Sequence, residues 1–310
     1  MGSASFALPT LNHLFEAGYP ITGVITQPDK PTGRGQSLEG TPVKKRAYDL
    51  KLPVYQPASL KSDETREMVS ALAPEMIVVV AYGKILPPWI LQYPRFGCLN
   101  LHGSLLPKYR GAAPVHWAIA NGEEETGVCS MLLDEGVDTG GVYLRDEVAI
   151  GPDETTPELY NRLAEIGGPL MLRTLQGVLD GTLKPQPQDS SKATFAPTLK
   201  KQDGNLNWAK PAGELHNRIR AFNPWPGSVT KFRGSICKIL KSRRLQTAKS
   251  SRSAGTLVLS KGTLNVTCGD GTLLEILTIQ PQNRKPVSGA DFANGARIQA
   301  DEKFETLVDN

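Results

Sequence analysis

An asparagine and a histidine stand two residues apart in the stretch from Cys98 to Pro114, which reads CLNLHGSLLPKYRGAAP. The apolar Leu101 separates Asn100 from His102. Residues i and i+2 of an extended strand point to the same face, so these two polar side chains are predicted to project together at a strand end. An amide donor beside an imidazole suits a reaction in which an oxyanion develops. The spacing therefore predicts a catalytic site at this point of the chain.

The elements that must position this site alternate between β-branched apolar runs and helical patterns. Strands are predicted at residues 21–26, 76–81, 127–133 and 142–150, and helices at residues 42–50, 63–73 and 155–179. This alternation is typical of an α/β fold with a doubly wound, Rossmann-like sheet. Ligands of such sheets bind at the carboxyl ends of the strands, so the turn after residue 81 is predicted to lie near the site.

The motifs in this region resemble those of the folate-dependent formyltransferases. The family pattern N-x-H-x-S-L-L-P matches Asn100 to Pro107, and the basic-G-A-x-P segment that follows it matches Arg110 to Pro114. A second pattern, which ends D-x-G-x-D-T-G, matches Asp134 to Gly140. The resemblance extends over nearly the whole chain, and it implies that this protein transfers a formyl group.

The resemblance also implies the roles of individual residues. The formyl donor is expected to be 10-formyltetrahydrofolate, and no metal is expected. Asn100 and His102 would donate to the oxyanion, and Asp138 would accept the proton of the attacking amine, directly or through a water. A pterin needs backbone donors and acceptors as well as apolar walls. The predicted folate-binding residues are Gly83, Lys84, Ile85, Leu86, Ser104, Leu105, Leu106 and Pro107.

The sequence gives less support to other arrangements of reactive side chains. Ser104, His102 and Asp138 could form a hydrolase triad, but Ser104 lies only two residues from His102 and the chain has no G-x-S-x-G elbow. The remaining histidines lack such neighbours and are predicted to be structural. The four cysteines have no C-x-x-C spacing, so neither a zinc site nor a disulfide framework is expected.

Charge is distributed unevenly along the chain. Residues 200–310 contain 18 basic and 9 acidic residues, whereas the rest of the chain contains 17 basic and 22 acidic residues. Residues 231–252 hold eight basic residues and no acidic one. Such a stretch is either a solvated basic surface or a contact for a phosphate backbone.

Within the family, the chain is most similar to the members that act on initiator methionyl-tRNA. The segment TQPDKPTGRG, residues 26–35, resembles the loop with which those members enter the tRNA. A flexible arginine at its tip could contact phosphates and unpaired bases of the acceptor stem. The predicted tRNA-binding residues are Arg34, Lys30, Lys200, Lys201, Arg243 and Arg244. Two alternatives stay open: a formyltransferase that acts on a small amine, either glycinamide ribonucleotide or an amino-sugar nucleotide, and an inactive tRNA-binding protein.

Length and composition predict two domains. The formyl transfer domain is expected at residues 1–182, a Pro-, Gln- and Ser-rich linker at 183–203, and a basic OB-like β-barrel at 204–310, because short strands alternate there with glycine turns. Full-length relatives place an apolar strand before the glycine that matches Gly2. Either the start codon is misassigned or the chain has lost this strand, and the chain as given is expected to be less stable than one that carries it. No apolar run of membrane-spanning length and no secretory signal is visible, so a cytoplasmic monomer is expected.

Overall fold

A computed structural model describes residues 1–32 and 37–307. The chain divides into two compact units. The first comprises Met1–Pro114, Glu125–Val148 and Tyr160–Pro197, and the second comprises Val115–Glu124, Ala149–Leu159 and Thr198–Asn310.

The first unit is built on a mixed sheet. Its strands are β1 (Val24–Ile25), β2 (Lys30–Thr32), β3 (Ser37–Glu39), β4 (Val54–Tyr55), β5 (Ile77–Val80), β6 (Cys98–His102), β7 (Glu125–Leu132) and β8 (Val142–Ala149). The four-stranded sheet has the order β5-β6-β7-β8, β1 pairs with β4, and β2 forms a hairpin with β3. Strands β5 and β6 are parallel, whereas β6 and β7 are antiparallel. The predicted α/β class is confirmed, although the sheet is not purely parallel.

The helices that flank these strands keep the predicted order. They are α1 (Leu8–Glu16), α2 (Pro42–Asp49), α3 (Asp63–Leu72), α4 (Pro88–Gln92) and α6 (Thr156–Leu179), with single 3-10 turns at Ser5–Ala7 and Ser190–Lys192. Helix α5 (Pro114–Ala120), from Val115 onward, and the 3-10 turn Lys201–Gly204 belong to the second unit. Ser62 caps α3, because its hydroxyl accepts from the Thr65 N–H at 3.4 Å.

The alternation of side chains along β6 decides where its polar residues point. Leu99 and Leu101 are buried, and Leu101 packs against α6 at Gly167, where a β-carbon would lie 2.3 Å from a Leu101 methyl. Asn100 and His102 therefore face away from α6. In the parallel register, Val80 of β5 lies beside Leu101, so the turn that follows β5 and the end of β6 share one edge of the sheet.

Strands β1 and β5 belong to separate sheets. The gap between them, called the seam here, is bridged by Met1 and Gly2. The Val80 N–H donates to the Met1 carbonyl at 2.9 Å, and the Gly2 N–H donates to the Ile25 carbonyl at 3.0 Å. A β-carbon at Gly2 would lie 2.9 Å from both the Ala7 side chain and the Val80 carbonyl, which explains the glycine. Beyond this bridge the seam holds a cavity of about 360 Å³. Its lining is mostly apolar and includes Leu14, Val43, Val69, Leu72, Ile77 and Leu175.

The C-terminal part of the second unit, from Thr198 onward, is a curled antiparallel sheet with two helices among the described residues. Its strands are β9 (Ser228–Phe232), β10 (Ser235–Lys249), β11 (Leu257–Ser260), β12 (Thr263–Thr267), β13 (Thr272–Pro281), β14 (Val287–Ser288) and β15 (Phe304–Glu305), and its helices are α7 (Ala212–Phe222) and α8 (Gly289–Ala296). The order is β11-β12-β13-β10-β9-β15, with β14 beside β13. The two ends of the sheet meet where the Phe304 N–H donates to the Gly255 carbonyl at 2.9 Å. The predicted barrel-like architecture is therefore present.

Strand β10, with 15 residues, is much longer than the short strands predicted for this part of the chain. Register shifts beside Lys241 mark bulges, and the chain then continues to pair with β13. Before and after the shifts, buried side chains such as Ile239 and Ser242 alternate with exposed basic ones. The basic stretch is the solvent-facing side of a strand and not a loop.

Candidate active site

His102 and Asp138 lie side by side at the carboxyl end of β6. The Asp138 Oδ2 is 3.7 Å from the His102 Nδ1, and both side chains are largely buried. The same carboxylate oxygen accepts a hydrogen bond from the Gly111 N–H at 2.8 Å. The structure thus brings together two of the three predicted catalytic residues, and it shows what anchors the carboxylate.

The second ring nitrogen of His102 is engaged by the loop that follows the strand. Its Nε2 lies 3.0 Å from the Tyr109 carbonyl, which can only accept, so Nε2 carries the proton in this arrangement. Tyr109 has a φ of +62°, a left-handed value that is costly for a bulky side chain. The carbonyl is aimed at the ring by this unusual backbone, which the sequence does not predict.

Asn100 lies on the same face of β6 as His102, two residues before it. Its cross-strand partner is Met131, and that of His102 is Cys129. Burial raises the pKa of the Cys129 thiol to about 11, so it stays protonated near neutral pH and is not a nucleophile. The reactive groups on this face are therefore the amide, the imidazole and the carboxylate.

Comparisons with known proteins agree with this chemistry. The family model described as "Formyl transferase" matches residues 1–175, and the model "Formyl transferase, C-terminal domain" matches residues 198–297. This chain belongs to the formyl transferase family. A relative from Solibacter usitatus, called methionyl-tRNA formyltransferase, is 45% identical over 98% of this chain and 97% of its own length. A relative of the same name from Acidobacterium capsulatum is 47% identical over 95% of this chain and 94% of its own length.

A solved formyl transferase has a similar fold. It is a sugar 3N-formyl transferase crystallised in the presence of dTDP and 5-N-formyl-THF, with a TM-score of 0.67 and 20% sequence identity. It covers 92% of this chain, and the match spans 97% of its own chain. Because the sequence identity is only 20%, this similarity shows the fold alone.

The predicted folate-binding residues of the formyl transferase lie in two turns of the first unit. In the turn after β5, Gly83 has a φ of +76°, Ile85 is 86% exposed and Leu86 is buried. The Lys84 ammonium donates to the Ala58 carbonyl at 3.0 Å, and this bond ties the turn to a neighbouring loop. An exposed isoleucine on a glycine turn, beside the end of β6, fits an apolar wall for a flat ring.

The second of the turns predicted to bind folate follows His102 directly. The Ser104 hydroxyl donates to the Lys108 carbonyl at 2.6 Å, so its side chain shapes the turn. Leu106 is fully buried and packs in a small core with Met131 and Val142. Leu105 and Pro107 are partly exposed. The side chains of Ser104 and Leu106 have structural partners here, so a folate would meet the backbone of this turn together with Leu105 and Pro107.

The predicted tRNA-binding residues have different surroundings. Lys30 belongs to the β2–β3 hairpin and donates to the Gln27 side chain at 2.9 Å, and Arg34 lies outside the described residues. Lys200 and Lys201 are exposed at the start of the second unit. Arg243 is paired with the buried Glu275, whose Oε2 lies 2.8 Å from the guanidinium. The Arg244 guanidinium lies over the first turn of α7, next to Gly213. These six assignments stay predictions.

Residues 1–32 and 37–307 carry neither a metal-binding cluster nor a membrane-spanning helix. Within those ranges no group of three or more His, Cys, Asp and Glu side chains is arranged to hold a metal ion. None of the helices formed by the same residues is long and apolar enough to cross a lipid bilayer.

Sequence reasoning missed the residues that support Asp138 and Tyr109. Gln188 donates to the Asp138 carbonyl at 2.8 Å, and the Thr194 hydroxyl accepts from the Tyr109 N–H at 2.9 Å. Both belong to the stretch predicted as a linker. Its polar, proline-rich composition carries no signal that it lies against Tyr109 and Asp138.

Proposed function

We propose that this formyl transferase moves the formyl group of 10-formyltetrahydrofolate to the α-amino group of methionyl initiator tRNA, in the cytoplasm. The observation that carries the proposal is the pairing of His102 with a Gly111-anchored Asp138, at the end of the strand that also bears Asn100. Relatives that are 45% and 47% identical over nearly the whole chain have the name methionyl-tRNA formyltransferase, which supports this acceptor.

The reaction joins the amine to the formyl carbon. As the new C–N bond forms, the electrons of the carbonyl double bond move onto oxygen and give a tetrahedral oxyanion. The amine loses one proton, N10 of the folate gains one, and the bond from N10 to the formyl carbon breaks. The products are N-formyl-methionyl-tRNA and tetrahydrofolate.

Three side chains of this chain would assist the reaction. The Asn100 amide and a ring N–H of His102 donate to the oxyanion, and Asp138 accepts the amine proton directly or through a water. The Nε2–H of His102 is held by the Tyr109 carbonyl. The oxyanion would therefore receive the Nδ1–H beside Asp138, or the Nε2–H once the contact with Tyr109 is given up. In both cases the carboxylate 3.7 Å away stabilises positive charge on the ring.

The acceptor is assigned to tRNA because of the basic second unit and the residues 26–35 segment. Exposed lysines follow the outer side of β10, among them Lys238 and Lys241. A row of cations along one strand suits a phosphate backbone. A small amine as acceptor would need no such row.

The test compares acceptors in one assay. With 10-formyltetrahydrofolate as donor, we expect formylation of methionyl initiator tRNA and none of glycinamide ribonucleotide or a dTDP-linked amino sugar. The reverse preference would refute the acceptor, and no formylation of any of the three would refute the activity.

Two sets of variants test the two features that assign the acceptor to tRNA, the exposed lysines of β10 and the segment of residues 26–35. Replacing Lys238 and Lys241 by Ala should weaken the binding of all tRNAs about equally. It should also flatten the dependence of this affinity on salt, because fewer counterions are released. Arg34→Ala should instead reduce formylation of the initiator more than that of elongator methionyl-tRNA, because an arginine side chain can contact the unpaired bases of an acceptor stem whose first base pair is open. Equal loss on both tRNAs would make Arg34 a general anchor.

A further inference from the structure

The stretch 186–197, called the strap here, runs along the loop that holds Tyr109, Arg110 and Gly111 in the first unit. At its start, Gln186 and Val142 exchange two backbone hydrogen bonds of 2.8 and 2.9 Å. At its end, the Arg110 N–H donates to the Thr194 carbonyl at 2.9 Å, and the Ala196 N–H donates to the Arg110 carbonyl at 2.7 Å. The strap is thus fixed at both ends.

Gly111 allows the strap to come this close. Its φ is +123°, and a β-carbon there would lie 2.6 Å from the Ala196 carbonyl oxygen. The same glycine donates its N–H to the Asp138 carboxylate. The backbone that receives the strap is therefore the backbone that holds the carboxylate.

Within the strap, the Gln188 side chain uses its whole hydrogen-bonding capacity. Its Oε1 accepts from the Arg110 Nε at 3.1 Å and from the Arg110 Nη2 at 2.8 Å. Its Nε2 donates to the Asp138 carbonyl at 2.8 Å and to the Gly140 carbonyl at 2.7 Å. Arg110 is only 5% exposed, so its guanidinium requires such an acceptor.

The backbone of Asp138 needs this support. Its φ is +52°, in the left-handed region, which persists only where surrounding contacts hold it. The two bonds from Gln188 fix the carbonyls on either side of Thr139. They therefore determine the direction in which the Asp138 side chain leaves the chain, toward His102 and Gly111.

We propose that Gln188 is a positioning residue, which holds the Asp138 carboxylate beside His102, where it can accept the proton of the attacking amine. This inference rests on the proposed function, since it assigns Asp138 the role of proton acceptor. Gln188 acts through the backbone of Asp138 and does not touch the substrate.

Two variants separate the role of Gln188 as an acceptor for Arg110 from its role as a donor to two backbone carbonyls. Gln188→Glu keeps the acceptor for Arg110 but loses both donors to the Asp138 and Gly140 carbonyls. Gln188→Met keeps the volume and loses all four bonds. We expect both to lower kcat by about 10-fold to 100-fold, because small misplacements of a reacting group cost that much. KM for both substrates should change by less than about twofold, because binding is not the function of Gln188.

The matched control is Gln186→Ala. This glutamine belongs to the same strap, and its side chain donates to the nearby Lys184 carbonyl at 3.3 Å. Its kcat should equal that of the wild type. If Gln188→Glu also keeps wild-type kcat, Gln188 serves only to neutralise Arg110 and the proposal is wrong. Should Gln188→Glu fail to fold, wild-type kcat in Gln188→Met would overturn the proposal in the same way.

A double mutant distinguishes positioning from a separate contribution. If Gln188 acts through Asp138, adding Gln188→Glu to Asp138→Asn should lower kcat by less than about twofold beyond Asp138→Asn alone. If the fold-loss in kcat of the double variant equals the product of the two single losses, the proposal is wrong.

One readout needs no substrate. In a crystal structure of Gln188→Glu, the Asp138 carboxylate should have left the Gly111 N–H and lie farther than 3.7 Å from the His102 Nδ1. An unchanged site would contradict the inference even if the activity falls. A wild type that formylates no acceptor would refute the proposed function, while this structure still decides the role of Gln188.

Discussion

In a polypeptide that is made to begin at Met1, the free energy of unfolding should depend on pH in a predictable way. The Met1 amine is buried in the seam and donates to the Val78 carbonyl at 2.5 Å. Burial lowers the pKa of this amine from 8.0 to about 6. Between pH 6 and pH 8 the unfolded chain therefore binds a proton that the folded chain does not, so the free energy of unfolding rises with pH through this window. The shift corresponds to about 3 kcal/mol, lost as the pH falls to 6.

The perturbation is an extension before Met1, as long as the four residues of β5 and made of Val and Ile. It turns the amine into an amide, which removes the titrating group, and it places apolar side chains in the cavity of about 360 Å³. An extension of Gly and Ser of the same length removes the amine but leaves the cavity unfilled. Each apolar side chain that becomes buried contributes about 1.5–3 kcal/mol before the cost of ordering the added backbone.

Urea unfolding of the three proteins from pH 6 to pH 9 separates the two effects. Both extensions should flatten the pH dependence, and at pH 9 only the apolar one should be more stable than the Gly/Ser one. An unchanged slope in the Gly/Ser protein would show that the buried amine is not its cause. Equal stability of the two extended proteins at pH 9 would show that the seam does not accept a strand.

Other predictions concern the site and its surroundings. Asn100→Ala and His102→Ala should each lower kcat by about 10²–10³-fold, with folate affinity by calorimetry unchanged, because each removes an oxyanion donor. Asp138→Ala should lower kcat by about 10²–10⁴-fold, and near-normal turnover would exclude it as the proton acceptor. Arg243→Ala should lower the Tm, because it leaves the buried carboxylate of Glu275 unpaired, and the double variant with Glu275→Gln should recover part of the loss.

Much of the fold follows from patterns in the sequence. The apolar run at residues 76–81 forms β5, and the Ser62 cap begins α3, because burial and capping are local properties of the residues involved. The pattern predicts β10 too short, since basic residues on the exposed face of a strand resemble a loop. The domain boundaries stay a prediction, and the strap shows why: its partners lie far away in the sequence.

For the site, the motif predicts which residues meet but not what holds them together. The i, i+2 spacing places Asn100 and His102 on one face, and the structure adds Asp138 beside the ring. The left-handed backbone at Tyr109 and Asp138 could not be predicted, because neither is a glycine and neither stands in a recognisable turn. Such conformations are imposed by tertiary contacts, here from Thr194 and Gln188.

The division of the first unit by the seam has a consequence for amide hydrogen exchange. Val24 and Thr26 donate their N–H groups to the Pro53 and Tyr55 carbonyls, across the short β1–β4 pair. Short pairs beside a cavity open with a smaller free energy than the centre of a packed sheet. These two amides should therefore exchange with solvent sooner than that of Leu101 in β6. The strand that bears the amide and the imidazole would then stay folded in molecules whose outer strand pair has opened.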